Sequence, residues 1–251
     1  MREISLRFRQ QRETLPSASE NRIVILTGAR QTGKTTLVKS VYKGLNYLNL
    51  DAPEYRDLVH GTATASWHRT IGPAVIDEAQ KEPSVFEKVK FAFDAGDITF
   101  TVLTGSSQIL LLKKIRETLA GRAFLYELWP LMQSELLSDS MDDRQPPPLL
   151  HDLISRKSIN IPLNEAAPVL IGEKEIRSIE TEDHLLQWGG MPALLPLSDE
   201  NRWKWLKDYC YLYLERDLAD LANLDDLRPF QKFQKLSALR SAQLLNYSEL
   251  A

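Results

Sequence analysis

Cysteine is almost missing from this chain: Cys210 is the only one in 251 residues. That excludes a disulfide framework within the chain and fits a reducing cytoplasm. Cys210 lies in the apolar helical stretch Tyr209-Cys210-Tyr211-Leu212, where packing is the expected role. Histidine is scarce as well, and His60, His68, His151 and His184 show no ligand spacing, so side chains alone make no metal site. No run of about 18 apolar residues is present to span a bilayer. The first nine residues are basic but lack the apolar stretch of a secretory signal, and Glu3 and Glu13 argue against an organellar transit peptide. A strong charge of either sign is lacking too: the formal net charge is −3, with no global pull towards nucleic acid or an anionic membrane. The expectation is a cytoplasmic globular protein, either one large α/β domain or a core with a smaller helical domain.

Against those absences one stretch stands out. The apolar run Ile23-Val24-Ile25-Leu26 leads into Gly28-Ala29-Arg30-Gln31-Thr32-Gly33-Lys34-Thr35-Thr36, and Leu37-Val38-Lys39-Ser40-Val41-Tyr42 continues as a helix. Strand, glycine-rich turn and helix form the context that the phosphate-binding pattern G-x-x-x-x-G-K-[ST] needs. The N–H groups of such a loop converge on an anion at the positive N-terminal end of the helix. Lys34 is expected on the terminal phosphates and the Thr35 hydroxyl on Mg²⁺. Residues 28–36 therefore read as the lining of a nucleotide site.

The stretch Gly72-Pro73-Ala74-Val75-Ile76-Asp77-Glu78-Ala79-Gln80 carries the second signal. Small and apolar residues run into two adjacent acids, as when a buried parallel strand delivers carboxylates to its C-terminal edge. Open α/β sheets bind their ligands at that edge. Asp77 is expected to hold Mg²⁺, directly or through water, and Glu78 to orient and deprotonate an attacking water. Residues 98–104 read as another buried strand, ending in Gly105-Ser106-Ser107. Thr104, Ser106 and Ser107 are the candidates to sense the γ-phosphate, and Ser106 or Ser107 is also suited to cap the following helix. Arg122 opens the last strand. It is read either as a catalytic arginine that neutralises the transferring phosphoryl group or as half of a structural salt bridge.

Around these motifs the chain divides by composition. Residues 1–21 read as a short amphipathic helical segment that either contacts a base or covers the sheet edge. Residues 22–138 form the nucleotide-binding core; within it Asp51 is expected to cap a helix with Pro53 in its first turn, and another helix spans about 83–95. Residues 139–181 are poorly organised and include the triple proline at 146–148, a linker signal. Residues 182–245 read as a helical, lid-like domain. It holds a helix over 181–188 ended by Gly189-Gly190, one over 201–224 with a stripe running from Trp203 to Leu221, and one over 226–241. Residues 246–251 look like the start of a further helix.

These motifs, taken in order, resemble the AAA+-like branch of P-loop ATPases. With Ala120-Gly121-Arg122, Trp129-Pro130-Leu131, Gly189-Gly190-Met191-Pro192 and Tyr213-Leu214-Glu215-Arg216-Asp217-Leu218 added, the chain resembles a prokaryotic family of uncharacterised AAA-type ATPases. That family carries a winged-helix segment and a C-terminal domain of unknown function. The resemblance implies an α/β three-layer sandwich with a mostly parallel five-stranded sheet of order 5-1-4-3-2, followed by a smaller all-α region. It implies Lys34 and Thr35 on phosphate and Mg²⁺, Asp77 on Mg²⁺, and Glu78 as the catalytic carboxylate. The catalytic arginine is left open between Arg122, Arg216 and a neighbouring subunit. Residues 245–251 resemble the beginning of the winged helix, so the chain reads as truncated there, with any DNA-reading helix beyond Ala251.

The function expected is Mg²⁺-dependent ATP binding and hydrolysis, coupling nucleotide state to rearrangement of the helical and C-terminal parts. ATP and ADP are the ligands; a homo-oligomer and a protein partner are both open. Two alternatives stand beside it. One is a slowly hydrolysing, ATP-gated switch or binding module. The other is a DNA-linked motor or loader, resting on Arg228, Lys232, Lys235 and Arg240 and on a winged helix outside this chain. Guanine specificity is disfavoured, because no Asn-Lys-x-Asp follows the sheet strands.

Overall fold

The computed structural model describes residues 6–105, 118–145, 149–156, 172–211, 228–241, 243 and 248. Ser106, Ser107, the triple proline at 146–148, Arg216 and, apart from Ser248, residues 246–251 lie outside the described residues. Five strands form one sheet: β1 (Arg22–Thr27), β2 (Asn46–Asn49), β3 (Ala74–Asp77), β4 (Phe100–Thr104) and β5 (Ala123–Glu127). Their order is β2-β3-β4-β1-β5, with every pair parallel. This is the expected 5-1-4-3-2 order read from the other edge, with β4 between the strands that carry the phosphate loop and Asp77.

Burial on both faces explains why the central strands are unbroken apolar runs. Along β1, Ile23 and Ile25 join a core with Trp67, Ile76, Phe86, Val89 and Leu103. Val24 and Leu26 join the opposite core with Leu37, Val38, Val75, Phe100 and Val102. Helix α2 (Lys34–Val41) supplies the second core; α3 (Pro53–Gly61), α4 (Trp67–Thr70) and α5 (Ser84–Asp94) supply the first. The result is helix, sheet, helix. Each fully buried large side chain contributes about 1.5–3 kcal/mol relative to exposure, so the sheet edge that bears the loops is rigidly based.

The structure differs from the sequence reading in several places. Among the described residues near the N-terminus, only α1 (Gln11–Thr14) is helical; residues 6–9 run without regular structure and are fastened by side-chain bonds. Asp51 is not a cap. The N-cap of α3 is Ala52, with no side-chain hydrogen bond, and Asp51 lies 3.1 Å from Lys81 Nζ instead. After α6 (Gln133–Leu136) and α7 (Leu149–Arg156), the helix expected to start at Thr181 begins at Glu173 and runs to Trp188 (α8). The Glu175 side chain accepts the Gly172 N–H at its start, a cap that an upstream reading from Thr181 cannot find. Past its end, Leu131 N–H donates to the Gly190 carbonyl at 2.7 Å. A Cβ on Gly190 would sit 2.0 Å from the Leu131 carbonyl oxygen, so only glycine allows this approach.

Two compact units make up the chain, 1–202 and 203–251. Helix α9 (Asp199–Tyr209) crosses from one to the other, and α10 (Arg228–Leu239) lies in the second. Cys210, expected to pack, is exposed. No described helix is long and apolar enough to cross a membrane.

Candidate functional site

Register brings the strand ends to one level. Leu26 pairs with Thr104, Ile76 with Leu103 and Asn49 with Asp77, so β1, β2, β3 and β4 finish at the same edge. The loop over 28–33 leaves β1 there. Gly28 has φ 145°, and a Cβ on it would fall 2.3 Å from the Leu128 carbonyl oxygen; the segment after β5 is held against the loop by Leu128 N–H donating to the Thr27 carbonyl at 2.8 Å. Gln31 (φ 63°) and Gly33 (φ 96°) take left-handed backbone, and α2 starts at Lys34. Thr32 is buried, its hydroxyl donating to the Ala29 carbonyl at 2.9 Å. Lys34 is buried too, and its ammonium donates to the carbonyls of Gly28 (3.0 Å) and Ala29 (2.8 Å). Ala29, Gln31 and Thr36 are exposed, and Arg30 is partly so.

The Asp77 carboxylate is the centre of the edge. It is 2% exposed, and such a group is stable as an anion only if its lone pairs are met. Oδ2 accepts the Thr35 hydroxyl at 2.6 Å and the Tyr47 hydroxyl at 2.7 Å. Oδ1 accepts the Thr104 hydroxyl and, at 3.1 Å, the Glu78 N–H. Thr35 comes from the phosphate loop, Thr104 from β4 and Tyr47 from β2. Burial, followed by the hydrogen bond to Asp77, pushes the Tyr47 phenol well above the ordinary phenol range, so it stays a donor. Lys39 Nζ lies 3.9 Å from the centre of its ring. Tyr47 was not among the expected site residues; only the β2–β3 pairing brings it to Asp77.

Glu78 follows with left-handed backbone (φ 56°, ψ 42°) into a 3₁₀ turn, Ala79–Lys81. Its Oε2 accepts the Gln80 side-chain amide. A second unanticipated residue is Arg9. Its guanidinium is buried, donates to the Thr32 carbonyl at 3.0 Å and to the Trp129 carbonyl, and lies 3.3 Å from Glu135. Arg9 therefore joins the phosphate loop to the segment after β5.

Arg122 does not join this constellation within its own chain. It precedes Ala123, the residue of β5 paired with Ile23, whereas Glu127 at the far end pairs with Thr27 beside the loop. Parallel strands share a direction, so Arg122 sits at the opposite edge, about 16 Å away along β5. There its guanidinium meets Asp94 at 2.5 Å, and that bond holds the Asp94 carboxyl below its usual range. The contact observed for Arg122 is this salt bridge.

The donor set suits a hard cation. Among the described residues no three His, Cys, Asp or Glu side chains cluster as a metal site. Thr35 Oγ1 and Asp77 offer one hydroxyl and one carboxylate, the sparse oxygen set with which Mg²⁺ keeps water and substrate phosphates as its other ligands.

Residues 20–137 match the AAA domain family, and residues 179–251 match a domain of unknown function (DUF8612). Residues 20–137 resemble an AAA domain. The AAA-type resemblance read from the motifs holds, and with it the P-loop nucleotide-binding fold. Curated relatives of the whole chain include the uncharacterized proteins Mb2031c of Mycobacterium bovis and Rv2008c of Mycobacterium tuberculosis. Each is 26% identical over 233 residues, 91% of this chain and 43% of the relative. The chain thus spans less than half the length of those proteins. Among solved structures, PCH-2 of C. elegans aligns over 74% of this chain and 57% of its own at 13% identity and a TM-score of 0.39. AMPPCP-bound DnaA from Aquifex aeolicus aligns over 93% and 67% at 14% identity and a TM-score of 0.38.

Proposed function

We propose that the AAA domain binds ATP with Mg²⁺ and hydrolyses it by attack of water. The observation that carries this reading is the buried Asp77 carboxylate, shared by the hydroxyl of Thr35 from the phosphate loop and that of Thr104 from the neighbouring strand. Thr35 and Asp77 would hold Mg²⁺, which when bound neutralises charge on the β- and γ-phosphate oxygens. The loop N–H groups over 28–36 cradle the phosphates, and Lys34 adds a charge at the loop's mouth. Thr104, with Ser106 beyond it, senses the γ-phosphate from the end of β4. Glu78 is the base: it draws a proton from water as the water oxygen attacks the γ-phosphorus and ADP leaves. Turnover would then shift the helical parts against the core.

Phosphate release by the full chain and two variants tests the reading. Lys34→Ala loses ATP affinity. Glu78→Gln keeps ATP but slows turnover by about 10²–10⁴-fold, the usual contribution of a general base. Normal turnover in Glu78→Gln removes Glu78 from its role; normal ATP binding in Lys34→Ala removes the phosphate loop from its own.

A further inference from the structure

The turn after β3 carries a second polar side chain beside Glu78. Left-handed backbone at a non-glycine residue persists only where its surroundings hold it. Here Glu78 N–H donates to Asp77 Oδ1 at 3.1 Å, Leu50 N–H to the Asp77 carbonyl at 2.9 Å, and Lys81 N–H to the Glu78 carbonyl at 2.9 Å. The 3₁₀ turn brings Gln80 back onto its neighbour, and Gln80 Nε2 donates to Glu78 Oε2. The amide is fixed this way round, because the reverse would set its oxygen against a carboxylate. Gln80 Oε1 is then buried from solvent with no hydrogen-bond partner among the described residues. Buried amide oxygens are nearly always met by a donor, protein or water. This one is covalently held beside the carboxylate assigned as base.

We propose that Gln80 positions the attacking water together with Glu78, an inference that rests on the reading of Glu78 as the base. The water donates one O–H to Gln80 Oε1 and the other to the Glu78 carboxylate, which leaves an oxygen lone pair for the γ-phosphorus. As that O–P bond forms, the bond from the γ-phosphorus to the β–γ bridging oxygen breaks and its electron pair leaves on ADP. The water proton passes to Glu78. Gln80 keeps both amide protons throughout; its part is orientation. A water misplaced by about 1 Å costs on the order of 10²-fold in rate.

The test compares the full chain with Gln80→Leu and Glu78→Gln in steady-state phosphate release, in affinity for ADP, and in affinity for ADP with aluminium fluoride, which mimics the planar phosphoryl group and its axial oxygen. Gln80→Leu is expected to lower kcat about 10–100-fold with KM and ADP affinity within about twofold of the parent. It also loses the extra affinity for ADP–aluminium fluoride over ADP, a ratio that a merely structural amide leaves unchanged. An unchanged ratio overturns the inference, and so does a parallel loss of ADP binding. If Glu78→Gln turns over normally, the base assignment fails and Gln80 falls with it. If Glu78→Gln abolishes turnover while Gln80→Leu does not, only the inference about Gln80 fails.

Discussion

Tyr47 reaches Asp77 because two four-residue strands pair with Asn49 opposite Asp77. Its hydroxyl is one of three that converge on a buried carboxylate, and each bond to a charged acceptor is strong because water is excluded. Tyr47→Phe removes that donor while leaving Thr35, Thr104 and the Glu78 N–H in place. It is expected to lower stability by about 1–2 kcal/mol, read from the midpoint of urea unfolding; an unchanged midpoint would mean that water replaces the phenol. The sequence showed Asp77 and Thr104 plainly, because an apolar run ending in a polar residue is how a buried strand meets solvent. Tyr47 was illegible. A lone tyrosine in Asn46-Tyr47-Leu48-Asn49 says nothing about its neighbours until the strand order is known. Arg122 was legible in principle: a residue that opens a parallel strand lies at the edge opposite the loops, and polarity alone separates it from the phosphates.

Among the elements, the N-terminal segment is the one whose apolar spacing misleads. Residues 6–9 are not an amphipathic helix. Phe8 N–H donates to the Ser138 hydroxyl at 2.9 Å, Gln10 N–H to Glu135 at 2.8 Å, and Arg9 enters beside Thr32 and Glu135. Burial lowers the pKa of the Arg9 guanidinium, and the contact with Glu135 opposes that shift. Arg9→Met strands the Glu135 carboxylate, which is only 2% exposed. The expected loss is about 3–5 kcal/mol, with a smaller loss when Glu135→Gln is added. Losses in Arg9→Met and Glu135→Gln that simply add in the double variant, measured by thermal unfolding, would show that the pair is not coupled. Such a cluster draws on residues more than 120 positions apart, and no local periodicity records it.

At the scale of the whole molecule, the sheet order was implied by the family resemblance, which rests on the chemical marks at the ends of the phosphate-loop, Asp77-Glu78 and Thr104 strands. The region after 138 bears none, and its helix boundaries shifted accordingly. That region also ties stability to pH. His184 on α8 is pulled below its usual value by burial and then by the nearby Arg202. It is therefore neutral in the fold while the unfolded chain takes up a proton near pH 6.5. Its stabilising contribution is present above about pH 6.5 and is lost as pH falls through the lower folded value. His184→Gln is expected to flatten that part of the curve; parallel curves for the two proteins would exclude His184 as the cause.

The position of β1 inside the sheet, between β4 and β5, has a consequence for biosynthesis. Its neighbours β4 and β5 both come later in the chain, and β2, made sooner, belongs at the far edge. At about 5–20 residues per second, Ile23-Val24-Ile25-Leu26 waits roughly 4–16 s on the ribosome for Phe100–Thr104. Throughout that wait the nascent chain displays an unpaired, uncharged, β-prone tetrapeptide, the kind of segment that chaperones bind and that aggregates when they do not.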